Sequence, residues 1–168
     1  MGSTLLVDEL KGVTGVGDIK LPANYIVQVI NAERTTITAQ GGTTYADTGL
    51  TLNITPKYAT SKIMVCVRQY FTFRTASTSE RQADFRLMQT ISGGSATQVA
   101  FQRINQWTIS SASAHYFGKM CAFDKLDSPA TTSQINYKTQ FKLNATSADL
   151  YTSHDGAIST ITAMEIAQ

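Results

Sequence analysis

The stretch from residue 134 to 143 permits one kind of backbone. Ile135, Tyr137, Thr139, Phe141 and Leu143 alternate with Gln134, Asn136, Lys138, Gln140 and Lys142. A helix would scatter those polar residues around its axis; a strand collects them on one face. The same period of two recurs along the chain. Tyr25, Val27 and Val29 share a parity, as do Leu50, Leu52 and Ile54, with Pro56 ending that strand because its ring removes a ladder donor. The longest run carries Ile63, Val65, Val67, Phe71 and Phe73 on one parity, and Phe85, Leu87 and Ile91 follow. Short strands are expected at Val99–Phe101 and Ile104–Ile109, and a last one over Ile158–Ile166 with Met164 and Ile166 inward and Glu165 outward.

Turn chemistry separates these runs: Gly41-Gly42, a Ser/Thr-rich stretch at 75–79, Gly93-Gly94 and Asp127-Ser128-Pro129. Eight to ten strands with turns every 8–12 residues read as an all-β fold, a jelly-roll-like antiparallel β-sandwich over residues 23–168. Ser and Thr make up roughly 23% of the chain, Thr the larger share, which suits half-exposed pleated surfaces. Residues 1–22 read as a short N-terminal arm. Ser3 or Thr4 caps at most a brief helix bearing Leu5, Leu6 and Leu10, before Gly12, Gly15, Gly17 and Pro22.

Two segments break the rule of one apolar face. Met64 and Cys66 give the run at 63–74 a second apolar parity at its start, and Tyr116, Phe117, Met120, Cys121 and Phe123 make 114–123 apolar on both. Apolar residues on both faces need cover on both, and a sandwich has one buried layer. Met64, Cys66, Phe117, Cys121 and Phe123 are therefore assigned to a subunit interface, with a loop or arm folding over them as the rival.

Charge excludes several functions. Only 15% of residues are charged, the formal net charge is +2, and Arg68, Arg74, Arg81, Arg86 and Arg103 are scattered, so no basic stripe suits nucleic acid. No apolar run is long enough to span a membrane, and the first residues lack the basic and apolar regions of a secretory signal, which places synthesis in a host cytoplasm. Cys66 and Cys121 are expected as free thiols. The histidines are His115 and His154; no metal-ligand spacing, nucleophile elbow or phosphate loop occurs, and no enzyme activity, cofactor or metal is expected. His154-Asp155-Gly156 reads as a turn that also brings an imidazole near a carboxylate. Trp107, with Arg103 and Asn105 nearby, is a candidate glycan contact, and Tyr70, Tyr116 and Tyr151 are further candidates for stacking on sugar rings.

Several blocks resemble a known group. Ser3-Thr4-Leu5-Leu6-Val7-Asp8-Glu9-Leu10, Ile26-Val27-Gln28-Val29, Tyr45-Ala46-Asp47-Thr48-Gly49-Leu50, Asn53-Ile54-Thr55-Pro56, Ser61-Lys62-Ile63-Met64-Val65, Leu126-Asp127-Ser128-Pro129-Ala130-Thr131-Thr132 and the ending Ser159–Ile166 look like small tail-fibre-like and head-decoration virion structural proteins of bacteriophages, aquatic and cyanobacterial ones above all. The resemblance is weakest over 75–117. It implies a homotrimeric jelly-roll-like domain on a virion surface, held to capsid or tail proteins by Leu5, Leu6, Val7 and Leu10 of the arm, as capsid decoration (cement or head fibre) or a short tail fibre. A module binding a host-surface carbohydrate or receptor at a fibre tip is the alternative.

Overall fold

The computed structural model describes residues 24–75, 80–107, 115–145 and 148–168; the side chains of residues 80, 81, 106, 107 and 115 lie outside that description. The arm, with Leu5, Leu6, Val7 and Leu10, also lies outside it.

Among the described residues the alternating runs form β1 (Ile26–Arg34), β2 (Thr38–Gln40), β3 (Ala46–Ile54), β4 (Lys62–Thr75), β5 (Glu80–Ile91), β6 (Thr97–Trp107), β7 (His115–Asp127), β8 (Ile135–Leu143), β9 (Asp149–Thr152) and β10 (Ser159–Ile166). β6 is one continuous strand where two short ones were expected, because all of it pairs with β5 up to Glu80↔Trp107.

The pairings are nested. β5 and β6 form an inner hairpin around Gly93, whose φ of 75° suits a residue without Cβ; β4 then pairs with β7, β3 with β8, and β1 with β10. Further ladders join β10 to β4 and β5 to β8. One sheet (sheet A) therefore runs β1-β10-β4-β7, with β9 and β2 continuing beside the far end of β4, and the other (sheet B) runs β3-β8-β5-β6. A four-layered antiparallel ribbon wrapped into two facing sheets is the jelly roll.

The inward parity follows the sequence pattern. Ile63, Val65, Val67, Phe71 and Phe73 of β4 face Ile135, Tyr137, Thr139, Phe141 and Leu143 of β8, all buried. The core has two apolar clusters, one aliphatic around Leu50, Ile63, Val65 and Ile161, one aromatic around Phe71, Phe73, Phe85 and Phe141. A polar belt crosses the sandwich between them. Thr139 Oγ1 donates to Gln69 Oε1 (3.0 Å), Gln69 Nε2 donates to Ser159 Oγ (2.8 Å), and Thr48 and Thr139 share a hydroxyl contact. Each member has a partner, so the belt avoids the penalty of buried unsatisfied groups while tying β3, β4, β8 and β10 into one register.

β10 is turned over relative to expectation. Ile161, Ala163 and Glu165 point inward, whereas Met164 and Ile166 face out. Glu165 is fully buried because its carboxylate accepts from the Lys57 (2.8 Å) and Tyr58 (3.2 Å) backbone N–H groups and from Gln28 Nε2 (2.6 Å). Charge-assisted bonds to backbone donors replace the water that the carboxylate gives up. β1 likewise resets its parity at a bulge between Ile26 and Gln28, so Ile30 and Ala32 pack on the core and Val29 faces out.

Candidate functional site

The consequence is an apolar outer surface at one end of sheet A. Register places Val29 beside Met164, Met164 beside Met64, and Met64 beside Leu126, a single row across β1, β10, β4 and β7. Val29 is 56% exposed and Leu126 44%, and Ile26, next to the row, is 54% exposed. Beside the row, Cys66, Arg68, Thr160, Thr162 and Met164 line a shallow depression of ≈ 270 Å³.

Met64 and Cys66 thus lie on the outer face, as an interface requires. Phe117, Cys121 and Phe123 do not. They sit opposite Phe73, Gln69 and Val67, inward residues of β4, so they point into the sandwich: Cys121 belongs to the aromatic cluster, Phe117 packs against it, and Phe123 packs against both clusters. Burial pushes the Cys121 thiol up to about 12. The large outward apolar residues of β7 are Tyr116, Met120 and Leu126. Both cysteines are free, and Cys66 faces out while Cys121 faces in, an orientation that cannot be bridged.

The outer face of sheet B has the opposite character. Arg103 donates to Asp84 through Nε (2.7 Å) and a terminal nitrogen (3.0 Å); Asn144 donates to the same carboxylate (3.2 Å), and Lys142 Nζ lies 3.7 Å away. Burial works to raise the Asp84 pKa, but the hydrogen bonds from Arg103 and Asn144 and the charges of Arg103 and Lys142 outweigh it and hold the carboxyl below its ordinary value. Asp47 accepts from Lys138 (2.9 Å) and Gln140 (2.6 Å), and the Arg86 guanidinium lies 3.7 Å from the Tyr45 ring centroid. Phe101, Arg103 and Asn105 occupy the outward parity of β6, but the Arg103 fork is engaged by Asp84. The Trp107 side chain lies outside the described residues.

At the far end of sheet A the structure gathers residues that the sequence left separate. Tyr116, Arg74 and Asp149 are neighbours across β7, β4 and β9, and Gly118, Thr72 and Tyr151 form the next row. His154, in a 3-10 turn after β9, has its ring centroid 5.6 Å from that of Tyr116 and 5.4 Å from that of Tyr151. Of the stacking candidates, Tyr70, Tyr116 and Tyr151 share this sheet, while Trp107 belongs to sheet B. The turn at His154-Asp155-Gly156 sets the imidazole Nδ1 2.9 Å from Asp155 Oδ2, as its sequence suggests, but its place against Tyr116 and Tyr151 comes only from the fold.

Among the described residues, no group of three or more His, Cys, Asp or Glu side chains is placed to hold a metal ion, and no helix is long and apolar enough to cross a membrane. No protein-family model matches the chain, and no curated protein does. Among solved structures it is similar to the VP2 subviral particle protein of infectious bursal disease virus, at 11% identity and a TM-score of 0.37 over 93% of this chain and 43% of that one. It is also similar to the same virus's protein in T=1 particles (10% identity, TM-score 0.37, 93% and 41%) and to that of its Gt strain (11%, 0.33, 93% and 43%). The chain spans less than half the length of these structures. At this identity and TM-score the likeness says nothing of function.

Proposed function

We propose that this protein is a non-catalytic structural component of a bacteriophage virion, a homotrimer of jelly rolls held to the particle by residues 1–22, as head decoration or as a short tail fibre. The observation that carries the self-assembly is the row Val29–Met164–Met64–Leu126. A monomer that left these side chains in water would forgo roughly 1 kcal/mol for each half-exposed large residue, which packing against a second copy recovers. The wrapped antiparallel topology supports the reading, since jelly rolls recur in capsid and lectin domains. So does the resemblance in the blocks at 45–56, 61–65 and 126–132 to phage virion proteins.

Light scattering on the full chain tests this. The wild type is expected at three chain masses, and Met64→Glu with Leu126→Glu at one, with an unchanged β-sheet circular dichroism spectrum. A monomeric wild type, or a double variant that keeps its mass, would falsify the interface. A second reading, a host-surface glycan contact along β6, is favoured by the exposure of Phe101, Arg103 and Asn105 on the outward parity of that edge strand.

A further inference from the structure

Met64 and Arg74 are ten residues apart on β4, about 33 Å at the rise of a strand. Over that distance the outer face of sheet A changes from an apolar row to a cluster of rings and charges. Arg74 donates to Asp149 Oδ2 at 3.0 Å, and the Tyr151 hydroxyl donates to the same oxygen at 3.4 Å. The imidazole of His154 is inclined by 34° to the Tyr116 ring and by 56° to the Tyr151 ring, and its Nδ1 lies 2.9 Å from Asp155 Oδ2. The turn that presents it is held at positive φ at Ser153 (51°) and Asp155 (55°), conformations that non-glycine residues adopt only when the surroundings impose them.

Two features make this more than a chance meeting of tyrosines. The phenol end of Tyr70 lies over Gly118, where a Cβ would stand 2.1 Å from its hydroxyl, so the missing side chain makes room for a third ring. Between these rings, Thr72 is 3% exposed on the outward parity of β4, and its hydroxyl is buried with no hydrogen-bond partner among the described residues. A buried hydroxyl left unpaired costs about 1–3 kcal/mol.

The chemistry narrows the ligand. Arg74 and Asp149 neutralise each other, and the exposed Asp155 carboxylate beside His154 disfavours an anion. The side chains of Arg74 and Asp149 are 44% and 43% exposed, which leaves free N–H donors and carboxylate lone pairs pointing to solvent. Tyr116, 55% exposed, offers a ring face beside them. A flat apolar face next to a paired donor and acceptor matches a pyranose, which has C–H groups on one side and vicinal hydroxyls around its edge. We propose that this end of sheet A binds a neutral saccharide. Tyr116 is the stacking platform, the Arg74–Asp149 pair bonds the hydroxyls, and His154 holds the rings in position. This site is distinct from the β6 row, which lies on the other sheet.

Saturation-transfer NMR on the full chain with lactose, maltotriose, cellotriose and chitotriose at millimolar concentration tests the assignment. Transfer to ring C–H protons of at least one sugar is expected, with affinity falling about tenfold in Tyr116→Ala. Gly118→Ala, which displaces Tyr70, and Arg74→Gln should weaken binding as well. Because Tyr116 is half exposed, its variant should melt with the wild type, separating lost binding from lost fold. Asn105→Ala with Trp107→Ala should leave transfer unchanged. No transfer to any of the four sugars would overturn the proposal. So would transfer that survives in Tyr116→Ala, or transfer that disappears only in the Asn105/Trp107 variant, which would place the contact on β6 instead.

Discussion

On the outer face of sheet B, Asp47, Asp84, Arg86, Arg103, Lys138 and Lys142 tile the surface with bonded charges; on sheet A the same outward parity carries Val29, Met64, Met164 and Leu126. Both sheets use one alternation and share one core, and only the outward half of the pattern differs. A sheet whose outer parity is charged is finished by water alone. One whose outer parity is apolar needs cover, from another molecule or from another segment of the chain. Within sheet A the contrast repeats on a smaller scale. One end carries an apolar row, the proposed contact with a second copy of the chain, and the end around Arg74 and Tyr116 carries rings and charges.

The sharpest way to break this division is at two adjacent residues on opposite sides of β7. Cys121 is fully buried and Met120 is 51% exposed. Cys121→Asp is expected to cost on the order of 4 kcal/mol in urea unfolding, because it buries an unpaired carboxylate. Met120→Asp should change the stability of the isolated domain by no more than about 0.5 kcal/mol. Equal effects at the two positions would mean that the inward and outward assignment of β7 is wrong.

A smaller effect is expected on sheet B. Asp84→Asn keeps the shape but removes the charge that Arg103 and Lys142 pair with, and should cost about 2 kcal/mol at neutral pH. Since the folded carboxyl titrates below its ordinary value of 3.8, its contribution is complete above that value and is lost as pH falls through the lower folded pKa. The variant's deficit relative to wild type should therefore shrink at acid pH. A deficit that stays constant down to that range would remove Asp84 as the source. The smallest effect is expected at the exposed Lys138–Asp47 pair: Lys138→Ala should shift unfolding by about 0.5 kcal/mol or less, and less again at high salt.

The inward pattern was legible at β4 and β8, where every second residue is apolar or hydroxyl and the core accepts them in that order. It was misread at β10 and β7 for two different reasons. On β10, hydrophobicity favours Met164 and Ile166 for the interior over Glu165. The balance reverses because Lys57 and Tyr58, more than 100 residues earlier, aim their backbone N–H groups at the carboxylate, and no local pattern reports that. On β7 both parities are apolar, so the sequence holds no preference, and the ladder with β4 chooses Phe117, Cys121 and Phe123 for the core. The cluster at the far end of sheet A was not legible as a unit, because Tyr116, Arg74, Asp149 and His154 come from four separate segments.

What residue order alone determined is the fold class, because a period of two repeated between turns is incompatible with anything but strands that bury one face. It also determined that there was more apolar surface than one core could hold. Only the tertiary structure decided where the excess went. Strand register, set by nested pairings between residues up to 140 positions apart such as Ile26 and Ile166, turns each strand one way or the other. A shift of one residue exchanges its two faces.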